Sequence, residues 1–335
     1  MKQKYNKRGY FFTILSCILS SCTNQDVAFF SGKVDSLLVD TIPIQHLFSP
    51  AFMAVVDDIF VVTSNGTDIS GNMLHFYKLP DMEYLFSTSG KGRGPNEFVS
   101  FPMIAQSSKA NRLYLWGYTP YTIKEWVIKD DSLSLVHTYE TNKYENFNQL
   151  HIVQDSLFIY SAIPGDFSIK KYNLERKKET GKISFKIDEH RQPFYSSNYG
   201  LVAANESVIL YAYWYKRQID IFDIKTMRLI KRISGKYDKQ QIDLDHFNSN
   251  VQYYVNIFSG EKFFYVIFRG RSHKDRTINS DILEIYDYEG SQIANISFNI
   301  SPHYFAIDEA NSMMYGFSLN FEDYLLKCSL PLYTN

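Results

Sequence analysis

The sequence predicts an all-β fold: a six-bladed β-propeller with four antiparallel strands in each blade. A pattern of strands repeats six times at a nearly fixed period. The last repeat lacks one strand, and an unassigned strand-like segment near the beginning of the chain can supply it. The composition is 45% hydrophobic, enough for a packed core without disulfides. We therefore expect a ring that closes when an N-terminal strand completes the last blade.

Each repeat has a short strand, a polar turn, a strongly apolar strand, a variable loop and an alternating strand. The apolar second strands recur every 44 to 55 residues, beginning at Ile59, Leu113, Leu157, Val208, Phe263 and Met313. The third strands follow in step, as "LHFYKL", "IKEWVI", "IKKYNL", "IDIFDI", "LEIYDY" and "LLKCSL". Fourth strands are readable in the first five repeats, from "EYLFST" to "QIANIS". A period near fifty residues with four strands is typical of propeller blades, which bury their faces against neighbouring blades.

The two ends of the chain have complementary deficits. The sixth repeat stops after "DYLLKCSLPLYTN", without a fourth strand. The alternating segment "KVDSLLVDTIPI", residues 33–44, precedes the first repeat. Pairing the two would hide two sheet edges at once. A β-sandwich or two smaller barrels, the alternative folds, would not produce six in-phase units with this deficit.

The N-terminus reads as a secretory signal. Four basic residues precede an apolar run from Tyr10 to Leu19, which is too short to span a bilayer. The run ends in "LSSC", which resembles the bacterial lipoprotein signal, with Cys22 as the lipid-modified residue. An ordinary signal peptide is the alternative, and Cys17 is a rival lipidation site that fits less well because Leu15 precedes it by two positions.

This signal predicts three segments and a location. Residues 1–21 form the signal peptide, residues 22–32 a tether, and residues 33–335 the propeller domain. We expect a protein anchored in the membrane of the cell envelope, at the outer membrane. The segment "TNQDVAFF" after Cys22 lacks a dense acidic run that would mark surface export, so the periplasmic and surface faces both stay open.

Charge and cysteine content exclude some classes of protein. Signal removal lowers Lys+Arg from 35 to 31 against 36 Asp+Glu, a net charge near minus five. A generally basic nucleic-acid binder is therefore excluded. Only Cys328 would remain beside Cys22, so no internal disulfide framework is expected.

The stretch "GKGRGPNEF", residues 90–98, raises the question of a phosphate-binding loop. A dinucleotide fingerprint needs its third glycine one position later and a helix after it, whereas Gly94 is followed by Pro95 and a strand. No Gly-Lys-Ser/Thr triplet occurs either. We interpret the stretch as a tight turn between blades, with glycines at positive φ and Phe98 filling the gap between the blades.

Residues 90–105, "GKGRGPNEFVSFPMIA", resemble the NHL-repeat junction, where a glycine-rich turn, a phenylalanine and a proline lead into the next inner strand. In architecture, residues 33–335 resemble the six-bladed, TolB-like or NHL-like propeller lipoproteins of Bacteroidetes. The junction motif is clear at this one junction, and a weaker match to it occurs at Gly235. The resemblance implies a fold and a location more than an activity.

The loops that join second to third strands, and one blade to the next, share one face of a propeller. We call it the loop face, and it is where we expect a ligand. Aromatic faces pack on sugar rings or apolar side chains, and guanidinium groups grip carboxylates or sulfates. The candidate ligand-binding residues are Arg93, Glu97, Tyr118, Tyr121, Arg191, Trp214, Tyr215, Arg217, Arg269, Arg271 and His273. Taken singly, each of these is better explained by packing between blades or by solvation.

Two classes of function stay open. The first is a lipid-anchored binding scaffold for a glycan, a peptide or an envelope protein, expected to be monomeric and to need no nucleic acid, cofactor or metal. The second is an NHL-type propeller lyase or hydrolase acting on an anionic sugar or peptide derivative. His151, His246 and His303 could converge at the channel for such chemistry, but no metal-ligand spacing supports this, and no catalytic residue is assigned. The carboxylate pairs at 57–58 and 130–131 read as turn residues. Three or more His or carboxylate groups within metal-ligand distance of one another would favour the enzyme. An aromatic channel mouth without such a group would favour the scaffold.

Overall fold

A computed structural model describes residues 34–43, 47–94, 96–107, 111–117, 122–129, 132–140, 148–154, 156–162, 166–188, 192–235, 242–275 and 281–331. The predicted signal peptide and tether lie outside the described residues. Within them, no helix is long and apolar enough to cross a membrane.

The described residues form 25 strands, arranged as six blades of a propeller. Two strands precede the first blade, β1 (Val34–Leu37) and β2 (Asp40–Pro43). Blade one contains β3 (Pro50–Val56), β4 (Ile59–Ser64), β5 (Asn72–Lys78) and β6 (Glu83–Gly90). Blade two contains β7 (Met103–Ser107), β8 (Arg112–Gly117), β9 (Thr122–Lys129) and β10 (Ser132–Glu140). Blade three contains β11 (Asn148–Gln154), β12 (Leu157–Ser161), β13 (Ser168–Asn173) and β14 (Lys178–Ser184).

The second half of the ring repeats the pattern. Blade four contains β15 (Gly200–Ala204), β16 (Val208–Tyr213), β17 (Gln218–Asp223) and β18 (Leu229–Ser234). Blade five contains β19 (Val251–Ser259), β20 (Phe264–Ser272), β21 (Ile282–Tyr286) and β22 (Gln292–Phe298). Blade six contains β23 (Tyr304–Asp308), β24 (Met313–Phe317) and β25 (Tyr324–Ser329). Two single-turn 3-10 helices, Pro193–Tyr195 and Phe247–Ser249, precede the inner strands of blades four and five.

The N-terminal segment closes the ring as predicted, but as two strands and not one. β2 pairs antiparallel with β25, from Asp40 opposite Lys327 to Pro43 opposite Tyr324, and completes blade six. β1 pairs parallel with β22 and adds a fifth strand to blade five. Between them, the Val39 N–H donates to Asn299 Oδ1 at 2.8 Å. The segment therefore joins the last two blades as well as closing the ring.

Five clusters of buried apolar side chains hold the ring together. Each contains residues of at least two adjacent blades, and one large cluster spans blades five, six and one. The second strands contribute the most buried positions, as their uninterrupted apolar runs predict; β16 is buried throughout. Blades two and three are joined further, because their inner strands β7 and β11 pair parallel through His151 opposite Gln106.

The stretch at residues 90–98 is a junction between blades one and two. The Phe98 N–H donates to Gly90 O at 3.1 Å, and the Gly92 N–H donates to Phe98 O at 3.0 Å. Phe98 packs in the cluster between the two blades, with the Lys124 ammonium 4.5 Å from its ring centroid. The predicted turn and the placement of Phe98 are confirmed.

The predicted reason for the glycines in this junction is wrong. Gly90, Gly92 and Gly94 do not have positive φ, whereas Ser89 does, at 63°. Gly92 is instead closely approached by the Glu97 carboxylate, which would have to move if residue 92 had a Cβ. That carboxylate accepts a hydrogen bond from the Gly94 N–H at 2.7 Å.

Candidate functional site

The inner strands of all six blades line a central channel that contains two cavities. The upper cavity, toward the loop face, has a volume of about 360 Å³. The lower cavity, at the opposite mouth, has a volume of about 250 Å³. Gln106 lines both cavities. Its Oε1 accepts a hydrogen bond from the Ser259 N–H at 3.0 Å. Because Gln106 and Ser259 belong to blades two and five, on opposite sides of the ring, this contact crosses the channel.

The upper cavity combines aromatic and polar side chains. Its aromatic lining comprises Phe52, Trp214, Tyr304 and Phe305, and its polar lining comprises Gln106, Gln149, His151, Asn256, Arg269 and His303. Trp214 is the first residue after β16. Its backbone is fixed by two hydrogen bonds, a donation to Tyr199 O at 2.8 Å and an acceptance from the Tyr253 N–H at 2.7 Å. This combination can accept a flat apolar or sugar ring together with a polar or anionic group.

His151 lies at the wall of this cavity and is buried. Its Nε2 lies 2.9 Å from Val202 O, on the next blade. Burial lowers the pKa of His151 to about 4, so its ring is neutral at pH 7. A neutral ring whose Nε2–H donates to a carbonyl is a structural link between blades three and four.

Arg269 is the principal charged group of the upper cavity. Its side chain is about one-sixth exposed. Nη1 donates to Gln252 Oε1 at 2.9 Å, and Nη2 lies 3.3 Å from Asp281 Oδ2. Asp281 is 1% exposed and also pairs with Arg271, whose Nη2 lies 2.7 Å from Oδ1. One buried carboxylate thus orients two guanidinium groups.

His303 lies beside Arg269. Burial, assisted by the Arg269 charge and opposed by Asp281, lowers the pKa of His303. Its Nδ1 accepts a hydrogen bond from the Leu319 N–H at 3.2 Å, so the neutral ring carries its proton on Nε2. His303 can therefore act as a donor to a ligand in the cavity.

A side cavity of about 290 Å³ adjoins the upper cavity between blades five and six. Arg269 and His303 line both. The side cavity is also lined by Arg271, Ser272, His273, Asp275, Asp281, Ser301, Leu319 and Asn320. The structure therefore brings four predicted ligand-binding residues, Trp214, Arg269, Arg271 and His273, to one connected region of the loop face.

Other predicted residues lie elsewhere. Tyr215 is 3% exposed and packs edge-on against Phe247. Arg217 stacks over the Phe268 ring, with its guanidinium carbon 4.6 Å from the centroid, and lies 3.7 Å from Glu284. The side chains of both residues serve the packing between blades four and five.

Arg93 and Glu97 are exposed at the junction between blades one and two, away from both channel cavities. Tyr118, Tyr121, Arg191 and the lipidation candidate Cys22 lie outside the described residues.

The lower cavity is acidic. Asp57, Glu261, Asp308 and Glu309 line it. Glu309 accepts hydrogen bonds from the backbone N–H groups of Glu261, Lys262 and Phe263 at 2.6 to 3.2 Å and from the Tyr265 hydroxyl at 2.9 Å. Its carboxylate therefore caps the β19–β20 hairpin of the neighbouring blade.

Of the three histidines considered for metal binding, His151 and His303 line the upper cavity but His246 does not. His246 is exposed and pairs with Asp243 at 3.2 Å, whereas His151 and His303 make the contacts given above. Across the described ranges, no three His, Cys, Asp or Glu side chains are grouped to hold a metal ion. The channel mouth that the structure describes is therefore aromatic and polar without such a cluster.

Sequence reasoning missed several residues of this site. Gln106, Gln252, Asn256 and Asp281 are polar positions in or next to strands. The one signal in the sequence was a polar residue within a predicted inner strand, as at Gln106, because the first residues of that strand are apolar and buried.

The fold and the cavity at its loop face define a six-bladed propeller with an aromatic and cationic pocket. The sequence model of the TolB-like 6-blade propeller-like family matches residues 31–310. The chain therefore belongs to this family. No curated protein sequence matches the chain.

Solved structures show the same fold at low sequence identity. A Bacteroides fragilis protein described as "Putative exported protein" is similar with a TM-score of 0.55 and 10% identity, covering 88% of this chain and 99% of that one. The structure of U3-55K gives a TM-score of 0.51 and 9% identity, covering 87% and 98%. The structure of the RRP9 WD40 repeats gives a TM-score of 0.51 and 9% identity, and the match covers 89% of this chain and 100% of that one.

Proposed function

We propose that the protein is a lipid-anchored binding scaffold of the cell envelope, which binds a glycan or peptide carrying an anionic group at its loop face. The observation that carries this proposal is the upper cavity, where Trp214 and Arg269 lie in one pocket with His303. Stacking on the indole and pairing with the guanidinium suit a ring or apolar side chain next to a carboxylate or sulfate.

The cellular part of the proposal rests on the N-terminal sequence. The basic segment, the apolar run and "LSSC" support export and lipidation at Cys22. The TolB-like family and the similarity to a protein described as exported agree with this location.

A thermal-shift screen of the folded protein against anionic and neutral glycans and peptides tests the binding function. A ligand at a concentration one hundred times its Kd stabilises the protein by about 2.7 kcal/mol, which is easily measured. We expect Trp214→Ala and Arg269→Gln each to weaken the binding of an anionic hit at least tenfold. Arg228→Gln, at an exposed arginine after β17, is the matched control and should leave binding unchanged.

An anionic hit that binds both cavity variants as tightly as wild type would contradict the proposed site. Failure of every anionic glycan and peptide in the screen to stabilise the protein would contradict the proposed ligand class.

A further inference from the structure

A second recessed surface lies on the loop face, between blades six and one, and we call it the apolar groove. Its volume is about 660 Å³. It is lined by Leu47, Phe48, Ser49, Asp68, Ile69, Ser70, Tyr84, Ser87, Phe317, Leu319, Glu322 and Asp323. None of these residues lines the upper channel cavity, and Leu319 alone also lines the side cavity.

The groove exposes large apolar side chains. Ile69 is 96% exposed, Phe48 is 52% exposed and Leu319 is 49% exposed. Soluble proteins show single exposed apolar residues everywhere, but three around one recess form a patch of the kind that marks an interaction site. Tyr84 and Phe317 also line the recess.

The charged lining of the groove has one sign. Asp68, Glu322 and Asp323 supply three carboxylates, and no Lys, Arg or His is among the described lining residues. Asp68 accepts hydrogen bonds from the Asn72 N–H at 2.8 Å and the Ser87 hydroxyl at 2.7 Å, which orient it. Neither Glu322 nor Asp323 has an ion-pair partner within the part of the chain that the structure describes.

We propose that the apolar groove docks an extended segment of a partner protein, in which a large apolar side chain is flanked by lysine or arginine. Charge complementarity selects this occupant, because the three carboxylates of the lining repel an anionic membrane surface and an acidic peptide alike. The proposal extends the binding role proposed above to a second surface, and does not depend on any ligand of the channel.

The test is fluorescence anisotropy with labelled synthetic peptides of about ten residues. The first peptide carries one Phe and one Leu between lysines, the second replaces the lysines with glutamates, and the third replaces Phe and Leu with serines. We expect saturable binding of the first peptide alone, weakened as ionic strength rises from about 0.05 to 0.5 M.

Two double variants and one control assign the binding to the groove. Ile69→Ser with Phe48→Ser should weaken the first peptide at least tenfold, and Glu322→Gln with Asp323→Asn should weaken it and reduce its salt dependence. Ile230→Ser, an equivalent change at an exposed isoleucine on β18, should have no effect. All five substituted positions are exposed, so unchanged melting temperatures are expected and separate lost binding from lost folding.

Three outcomes would overturn the proposal. They are no saturable binding of the lysine peptide below about 1 mM, equal binding of the glutamate peptide, and unchanged binding by the groove variants. Sedimentation that shows self-association abolished by Ile69→Ser would instead assign the groove to a second copy of this chain. Trp214→Ala should not change peptide binding, so failure of the channel proposal and failure of this one are distinguishable.

Discussion

Glu284 carries a carboxyl group into the interface between blades four and five. Burial raises its pKa to about 7, against the opposing effects of the Tyr286 hydrogen bond and the Arg217 charge. The Tyr286 hydroxyl donates to Glu284 Oε2 at 2.7 Å, and Arg217 lies 3.7 Å from Oε1. Protonation of Glu284 near neutral pH is therefore coupled to the packing of this interface.

The sign of that coupling follows from the direction of the pKa shift. The folded protein binds the Glu284 proton more tightly than the unfolded chain, whose pKa is near 4.5. The stabilisation is complete below pH 4.5 and is lost as the pH rises through 7. Glu284→Gln removes the titration, so the stability of the variant relative to wild type should increase between pH 5 and pH 8, by up to about 3 kcal/mol.

Urea unfolding of both proteins at pH 5 and pH 8 measures this difference. Glu206→Gln, which changes an exposed glutamate after β15, should show no comparable pH-dependent difference from wild type. A Glu284→Gln variant whose stability relative to wild type is the same at both pH values would contradict the raised pKa.

Phe98 tests the interpretation of the junction loop. Its ring is 6% exposed between blades one and two, so Phe98→Ala should cost about 3 to 5 kcal/mol of stability. Lys91 is exposed, and Lys91→Ala should change stability by less than about 0.5 kcal/mol. Thermal melting measures both, and equal effects would contradict a packing role for this loop.

The same loop supplies a test against nucleotide binding. Gly92→Val would displace the Glu97 carboxylate from the Gly94 N–H and should cost about 1 kcal/mol, less than a backbone strained at positive φ would. Millimolar ATP or NAD should not raise the melting temperature. A rise of several degrees that Lys91→Ala abolishes would restore the phosphate-binding interpretation.

At the scale of elements, the sequence predicted the strands better than their partners. All six apolar second strands lie where the pattern placed them, because a strand buried on both faces is an uninterrupted apolar run. The division of residues 33–44 between two blades could not be predicted, since the pairing of β1 with β22 depends on backbone groups available at a sheet edge. The burial of Tyr215 could not be predicted from the sequence either, because an aromatic residue directly after a strand is equally consistent with packing and with ligand binding.

The two N-terminal strands make a prediction about ring closure. β2 completes blade six, whereas β1 adds a fifth strand to a blade that already has four. A chain that starts at Leu47 should lose cooperative unfolding or aggregate, because the edge of β25 is exposed and the joint between the ends is lost. A chain that starts at Val39 keeps β2 and is the matched control, with a smaller loss. Calorimetry compares them, and unchanged melting of the shorter chain would contradict closure by β2.

At the scale of the whole molecule, the position of the N-terminal strands bears on how an anchored ring is presented. β1 is the outermost strand of blade five, so the polypeptide joins the ring at its perimeter and not through the channel. A membrane anchor before β1 would hold the propeller by its edge. The upper cavity and the apolar groove both open on the loop face, which such an attachment leaves accessible to large partners.

Anchoring itself is tested at Cys22. If "LSSC" directs lipidation, Cys22→Ala should abolish incorporation of a fatty-acid analogue and leave the protein unprocessed or released from the membrane fraction. Cys17→Ala is the matched control, because Cys17 lies within the apolar run and should remain dispensable. Metabolic labelling followed by membrane fractionation measures both changes. Equal labelling of wild type and Cys22→Ala would exclude the anchor, and loss of labelling with Cys17→Ala alone would move it to the rival site.

With the anchor at Cys22, only 11 residues separate the lipid from the first strand at Val34. This connection spans at most about 40 Å when fully extended. A tether of this length would hold the propeller close to the membrane that carries the lipid.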